Sequence, residues 1–323
     1  MKSLKITQQT IVFAIFVVMF AAFVLFLPGF GKLDNLLTLL QNVAILGILG
    51  LGMALVVIGR GIDISMIATL AVPAGLALQM VQNGQPLGSA ALVAGALALA
   101  FGALNGWLIA YAEVPSLFTT LASGLFLAGL GQAYLFQLEV VQWSAGMDPA
   151  AWLGRGTLAG LPMPVVMFAI ASLLVALFLK KLRAGAFIYA IGDNPMGARA
   201  TGLPTRPVMV LEYMLAALIG LFAGMVMAAS VGSMPTRIYN STMVYDVVLV
   251  VVLGGIGLSG GRGGVLNVVV GTLLIGTLLN GMTILDMSNS VQNIVKGVVL
   301  LTAILVDSIL NPRNEETAQQ GDI

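Results

Sequence analysis

The 323-residue chain is 59% apolar and 8% charged, with a mean hydropathy of +1.05. A soluble globular protein carries roughly 25% charged residues, so this chain cannot clothe itself in a water-compatible surface and reads as a multispanning membrane protein. Its formal net charge is +1 and it has neither cysteine nor histidine, which points away from nucleic acid, disulfides, thiolate chemistry and the commonest general base and metal ligand.

At roughly 20 residues per spanning helix, the length accommodates about eight to eleven spans within a single transmembrane domain. Lys2 and Lys5 precede an apolar run over 11–27. The run is longer than a signal-peptide core, and Pro28-Gly29-Phe30-Gly31 offers no small-x-small cleavage site, so it is expected to remain as span 1. Span 2 is expected over 36–58, followed by the polar interruption Arg60-Gly61-Ile62-Asp63-Ile64-Ser65. Span 3 follows over 65–81 with a kink at Pro73, span 4 over 88–111 and span 5 over 117–138. Residues 138–162 form a long loop whose Trp143, Trp152, glycines and prolines suit a membrane–water interface.

Span 6 is expected over 163–179 and span 7 over 208–229. Between them lies the most polar segment, with a loop over 181–207; together with Lys180 it holds five of the fourteen Lys and Arg residues. Glu212 sits near the start of span 7, where its side chain is expected to snorkel to the surface. Span 8 is the ambiguous one. Its apolar run, 247–258, needs 242–246 as well to reach about 25 Å at 1.5 Å per residue, so it either crosses marginally or re-enters the membrane. Span 9 is expected over 265–285 and span 10 over 291–310, before a polar, disordered tail at 311–323.

Ten spans place both termini on one side. With that side cytoplasmic, Lys2, Lys5, Arg60, Lys180, Lys181, Arg183, Arg199, Arg206, Arg262 and Arg313 lie inside, Lys32, Arg155 and Arg237 lie outside, and Lys296 falls in span 10. This asymmetry favours a cytoplasmic loop at 181–207 and an extracytoplasmic loop at 138–162. A short internal similarity, Gly102-Ala103-Leu104-Asn105-Gly106 against Gly276-Thr277-Leu278-Leu279-Asn280-Gly281, places Asn105 and Asn280 near opposite membrane faces. That is the signature expected of an inverted-topology repeat.

Within the cytoplasmic loop, Ile191-Gly192-Asp193-Asn194-Pro195-Met196-Gly197-Ala198-Arg199-Ala200-Thr201-Gly202 carries helix punctuation. Asp193 or Asn194 suits the N-cap, Pro195 the first turn and Gly202 the stop. A short helix with the small residues Gly197, Ala198 and Ala200 would admit a partner surface closely. Asp63 reads in two ways: as the cap of span 3, or as a pathway group paired with Arg60. Gly255-Ile256-Gly257-Leu258-Ser259-Gly260 matches G-x-G-x-x-G in form, but a membrane span follows it instead of a βαβ unit, so dinucleotide binding is rejected. No Walker A sequence is present, and ATP binding by the chain itself is not expected. The 39 glycines and 17 methionines read as close helix packing and gap filling.

Three stretches resemble one family. Tyr189-Ala190-Ile191-Gly192-Asp193-Asn194 with Ala198-Arg199 and Gly202-Leu203 is similar to the cytoplasmic coupling loop of ribose-type permeases of ABC importers. Gly61-Ile62-Asp63-Ile64-Ser65 resembles that family's Gly-Ile-Asp-Leu-Ser motif, and Gly254 to Gly263, including Gly255, Ser259 and Arg262, resembles its Gly-Gly-x-x-Leu-Ser-Gly-Gly-Arg-Gly motif. The chain departs from the pattern at Arg60, where the family usually has glycine, and at Met66-Ile67, which replace a pair of small residues. Pro195-Met196 stand where an acidic pair is often found.

The resemblance implies an all-α permease subunit of a bacterial inner membrane, embedded in lipid and translocating a pentose, hexose or related polyol. It also implies a second permease copy, separate ATPase subunits that use the ATP, and an extracytoplasmic sugar-binding protein. The loop residues Gly192, Asp193, Asn194, Pro195, Gly197, Ala198, Arg199, Thr201 and Gly202 would couple to the ATPase. Asp63, Ser65, Asn105, Gly255, Ser259, Arg262 and Asn280 stand as pathway or structural motif residues. The alternatives are a branched-chain amino-acid-type permease and a secondary transporter working alone; the latter lacks charge in its spans apart from Lys296 and Asp307. No set of residues suits an intramembrane enzyme, a metal site or a bound cofactor.

Overall fold

The computed structural model describes residues 8–136 and 139–310. Lys2, Lys5, Leu138 and the tail from Asn311, Arg313 included, lie outside the described residues.

The described chain is all-α, with two small two-stranded antiparallel sheets at one end of a helical bundle. Its helices are α1 Gln8–Phe26, α2 Leu33–Ile58, α3 Met66–Gln82, α4 Leu87–Ala110, α5 Ser116–Leu130, α6 Met163–Lys181, α7 Arg183–Asp193, α8 Pro195–Ala200, α9 Thr205–Val231, α10 Met243–Leu253, α11 Val265–Ile284 and α12 Asn289–Leu310. A π-helical turn over Gly131–Phe136 extends α5. Among the described residues, six helices are long and apolar enough to cross a membrane, and the apolar helices α1, α3, α10 and α12 lie among them. Pro73 lies inside α3, as expected.

The core is built on α2 and α3. Every residue of α2 from Leu46 to Ile58 is buried, and so is every residue of α3 from Met66 to Gly75. Helices that are apolar all round are stable only when surrounded, and the remaining helices supply that surround. Leu25 and Phe26 of α1, Leu92 of α4, Phe118 and Leu125 of α5, Leu173 of α6 and Leu301 of α12 point outward, as a bundle facing hydrocarbon requires. Small residues set the closest approaches. A Cβ at Gly102 would come within 2.5 Å of the Tyr213 carbonyl oxygen, and one at Gly106 within 2.5 Å of Val210 Cα, so α4 and α9 meet backbone to backbone.

The packing pairs repeat with direction reversed. Helix α9 packs on α4 as α2 packs on α11; α3 packs on α9 as α10 packs on α2; α3 packs on α4 and α5 as α10 packs on α11 and α12. The match between Asn105 on α4 and Asn280 on α11 belongs to this scheme, since the two asparagines sit at opposite ends of the bundle.

One end is marked by Arg60, α7 and α8, the other by Trp143. At the Trp143 end, β1 (Val140–Gln142) pairs antiparallel with β4 (Ser233–Pro235), and β2 (Thr157–Leu158) with β3 (Leu161–Pro162). The long loop is therefore folded: Arg155 lies over the Trp143 ring at 5.0 Å and donates from Nε to the Ala229 carbonyl at 2.9 Å. The chain between β4 and α11 resolves the ambiguity of span 8. Thr236 N donates to the Glu139 carbonyl at the Trp143 end, and Gly261 N donates to the Ile58 carbonyl at the other, so the segment traverses the bundle and is not re-entrant. Its helix is shorter than expected, ending at Leu253; eleven residues give about 16 Å, and the glycine-rich stretch after it completes the crossing. Asn267 Nδ2 satisfies the Gly254 carbonyl there at 2.7 Å, which is what irregular backbone at membrane depth requires.

Candidate functional site

The polar loop over 181–207 is helical through most of its length. Leu182, in an extended conformation, ends α6 and starts α7. The buried residues of α7 are Gly185, Ile188, Ile191 and Gly192, a three-to-four spacing that seats one face on the bundle. Gly192 is where that seat is tightest: a Cβ there would overlap the Ile58 carbonyl oxygen and lie 2.5 Å from Gly261 N. The ends of α2 and α7 and the glycine-rich stretch thus meet through backbone alone. Tyr189 Oη fastens the same junction by donating to the Gly263 carbonyl at 2.8 Å. Burial raises the Tyr189 phenol above its ordinary value, so it stays a neutral donor.

The six residues of α8 carry the punctuation read from the sequence. Asn194 Oδ1 accepts from Gly197 N at 2.8 Å, and Pro195 occupies the first helical position. At the other end Gly202, with φ +79°, donates to the Arg199 carbonyl at 3.0 Å, and Leu203 N donates to the Ala198 carbonyl at 3.1 Å. This is a Schellman closure. Asn194 is the N-cap, and Asp193 is the last residue of α7.

The orientation of α8 differs from the expectation at one residue. Ala198 is buried against its own chain, while Met196 is 60% exposed and Asp193, Arg199, Ala200, Thr201 and Gly202 are also exposed. A partner on this end would meet Met196 and Arg199, and Ala198 instead fixes α8 in its seat. Met196 is the residue that sequence reasoning passed over; an exposed methionine in a polar loop was the available signal.

Beside α8 opens a cavity of about 450 Å³ lined by Arg60, Ile191, Met196, Arg199, Glu212 and Tyr213. Glu212 is 1% exposed, so it does not snorkel. A Cβ at Gly59 would collide with its carboxylate, and one at Gly61 with the Tyr213 hydroxyl. The glycines on either side of Arg60 make room for these two polar groups.

The motif residues separate into three places. Asp63, Ser65 and Asn105 come together, each 1% exposed. Asp63 Oδ1 accepts from Ser65 N at 2.9 Å and from Ser65 Oγ; Asn105 Nδ2 donates to Ser65 Oγ at 2.9 Å. Asp63 therefore closes a turn onto Ser65, taking up the free N–H of the residue that leads into α3. The extended backbone beside it is satisfied from α5: Ile62 N donates to Ser116 Oγ at 3.2 Å and Ile64 N to Thr120 Oγ1 at 3.1 Å. Gly255, Ser259 and Arg262 lie in the stretch after α10, with Gly255 at φ +88°. Asn280 is at the far end, in reciprocal amide bonds with Asn35 at 3.0 and 3.1 Å. Among the described residues, no group of three or more acidic side chains could hold a metal ion.

Comparison with known proteins gives a consistent result. Residues 35–304 match the family model described as branched-chain amino acid transport system / permease component. The ribose import permease protein RbsC of Escherichia coli strain K12 is 34% identical over 285 residues, covering 87% of this chain and 88% of the relative. RbsC of Bacillus subtilis strain 168 is 34% identical over 294 residues, covering 87% and 86%. The xylose transport system permease protein XylH of Haemophilus influenzae is 28% identical over 368 residues, covering 95% and 98%. No solved structure gives a match.

Proposed function

Because this chain belongs to the branched-chain amino acid transport system / permease component family, we propose that it is the membrane-spanning permease subunit of an ATP-binding-cassette importer that carries a monosaccharide. The observation that carries the reading is 34% sequence identity to ribose permeases over 87% of the chain. The cargo is a pentose, a hexose or a related polyol.

The energy comes from outside this chain. ATP is bound and hydrolysed by separate ATPase subunits, and this chain binds no cofactor of its own. An extracytoplasmic sugar-binding protein delivers the cargo to the Trp143 end, and a second permease copy, identical or related, completes the assembly in lipid. The Arg60 end is cytoplasmic, as are both termini, which suits the inner membrane of a bacterial cell. Lys180, Lys181, Arg183, Arg199 and Arg206 support this orientation by their concentration at one end. There α8 is the docking element: a short, doubly closed helix that presents Met196 and Arg199 outward.

A second reading has one specific support, the family's printed description, which names branched-chain amino acids. Reconstitution separates the two. Proteoliposomes containing this chain, its ATPase and its binding protein are expected to accumulate D-ribose, D-xylose or another labelled monosaccharide with ATP, and L-leucine not at all. The chain alone is expected to move neither and to hydrolyse no ATP. Leucine uptake by the assembly would replace the sugar reading. Proton- or sodium-driven sugar uptake by the chain alone would replace the importer reading.

A further inference from the structure

Between α10 and α12 lies a polar cluster that neither docking nor fold maintenance accounts for. Lys296 Nζ sits 2.8 Å from Asp246 Oδ1, with side-chain exposures of 10% and 15%. Lys296 Nζ also donates to Thr242 Oγ1 at 3.2 Å, and Thr242 Oγ1 donates to Asn293 Oδ1 at 3.4 Å. Lys296 lies seven residues into α12, about 10 Å from its start at 1.5 Å per residue, while Asp246 is in the first turn of α10 and Thr242 is its N-cap, so the pair sits just inside the Trp143 end of the bundle. Thr242, Asn293 and Tyr245 beside it are exposed.

Hydrocarbon does not accept such a surface. Charged and amide side chains at membrane depth face an aqueous cavity or another protein. Helix α12 separates its two tasks by face. Ile294, Val298, Leu301 and Leu305 are exposed and apolar on one side, whereas Asn293 and Lys296, three residues apart, share another. An ion pair with this little exposure is also a poor adhesive, because desolvation offsets most of the attraction; apolar residues would join the two helices as well.

We propose that Asp246, Lys296, Asn293 and Thr242 line the translocation pathway near its extracytoplasmic mouth and take the hydroxyls of a passing sugar, a vicinal diol in particular. The carboxylate accepts from one hydroxyl, the ammonium donates to its neighbour, and the Asn293 amide does both. The pair has no net charge, so a neutral polyol is served without an ion being held. Contacts that are only partly buried suit a station that must also release its cargo. The proposal rests on the sugar reading above.

The chain has no cysteine, so single cysteines can be read without a background. In the complete transporter in its membrane, Asn293→Cys and Thr242→Cys are expected to react with an impermeant methanethiosulfonate from the extracytoplasmic side, much faster than Val298→Cys and Leu301→Cys. Modification is expected to stop D-ribose uptake. Equal slow rates on both faces would overturn the proposal. So would an Asn293→Cys cross-link between two copies with no reagent modification, which assigns the face to the contact between permeases. The exchange of Asp246→Lys with Lys296→Asp provides a second arm. It keeps an ion pair but moves donor and acceptor, and it is expected to assemble normally while uptake falls about tenfold or more, some 1.4 kcal/mol in the barrier. Full uptake by the exchanged protein would reduce the pair to a stitch between helices. If the unaltered transporter moves L-leucine and no sugar, the functional reading fails, and the thiol rates still report whether this face meets water.

Discussion

Arg60 occupies a backbone position that suits glycine. Its φ is +75°, in the left-handed region, where a side chain crowds the following carbonyl at roughly 1–2 kcal/mol. The turn is forced by its neighbours: α2 ends at Ile58, Gly61 N returns to the Val56 carbonyl at 2.8 Å, and Gly260 approaches Arg60 so closely that a Cβ there would lie 3.0 Å from Arg60 Cβ. The departure from the ribose-type pattern at this residue thus has a physical cost. Comparing Arg60→Gly with Arg60→Ala isolates it, because both remove the same side-chain contacts. Arg60→Gly is expected to be the more stable by about 1 kcal/mol, read as a higher melting temperature of the purified protein. Equal stabilities would mean that the turn relaxes out of the left-handed region.

The same scale shows where sequence reading stopped. The motifs marked Asp63, Ser65 and Asn105 as candidates, but no spacing rule joins positions 63, 65, 105 and 120; only the packing of α3, α4 and α5 does. Ala198 and Glu212 were assigned to the wrong environment for one reason. A small residue in a polar loop reads as exposed, and an acid near a helix end reads as snorkelling, unless one knows that Gly59 leaves space for the carboxylate and that α8 turns Ala198 inward.

At the scale of elements, the ends of α8 were legible because capping chemistry is local: Asn194, Pro195 and Gly202 lie within nine consecutive positions. Helix α7 was not legible. Its seat depends on Gly192 meeting the backbone of Ile58 and Gly261 and on Gly185 folding back onto Leu179, contacts that a run of basic and small residues does not disclose. Because α8 is too short to be stable on propensity alone, its ends decide its shape. Asn194→Ala is expected to cost about 1 kcal/mol and Gly202→Ala at φ +79° a similar amount. The double variant should fold and insert normally, since α8 adds little to a core built on α2 and α3. It should nonetheless lose ATPase co-purification, where each 1.4 kcal/mol is about tenfold in affinity. Met196→Asp, which leaves the helix intact and alters only its exposed face, is expected to give the same loss. Normal recovery of the ATPase with both variants would move docking to the Arg60 or Arg262 region.

For the whole molecule, hydropathy disclosed nearly all of the spanning helices, because a span is read by its length and apolarity. The eighth crossing was the exception, its helix of eleven residues being too short for that signal. What carries the chain across is the junction of Gly261 with the Ile58 carbonyl, a contact that sequence does not report. Everything after α10 depends on it: a true crossing puts the turn between α11 and α12 at the Trp143 end, and a re-entrant one would put it at the Arg60 end.

Impermeant maleimide on intact cells tests this directly, since this chain has no native cysteine to label. Leu158→Cys at the end of β2 and Ser288→Cys before α12 are both exposed positions and are expected to label from outside. Thr201→Cys, exposed at the end of α8, is expected to label only after permeabilisation. Labelling of Leu158→Cys outside with Ser288→Cys inside would require α10 to return to the face it started from. Gly261 could then no longer reach Ile58, and the glycine-rich stretch would lose contact with α7. The paired directions of α2–α5 and α9–α12 would fail with it, since an inverted repeat needs the same number of crossings in each half.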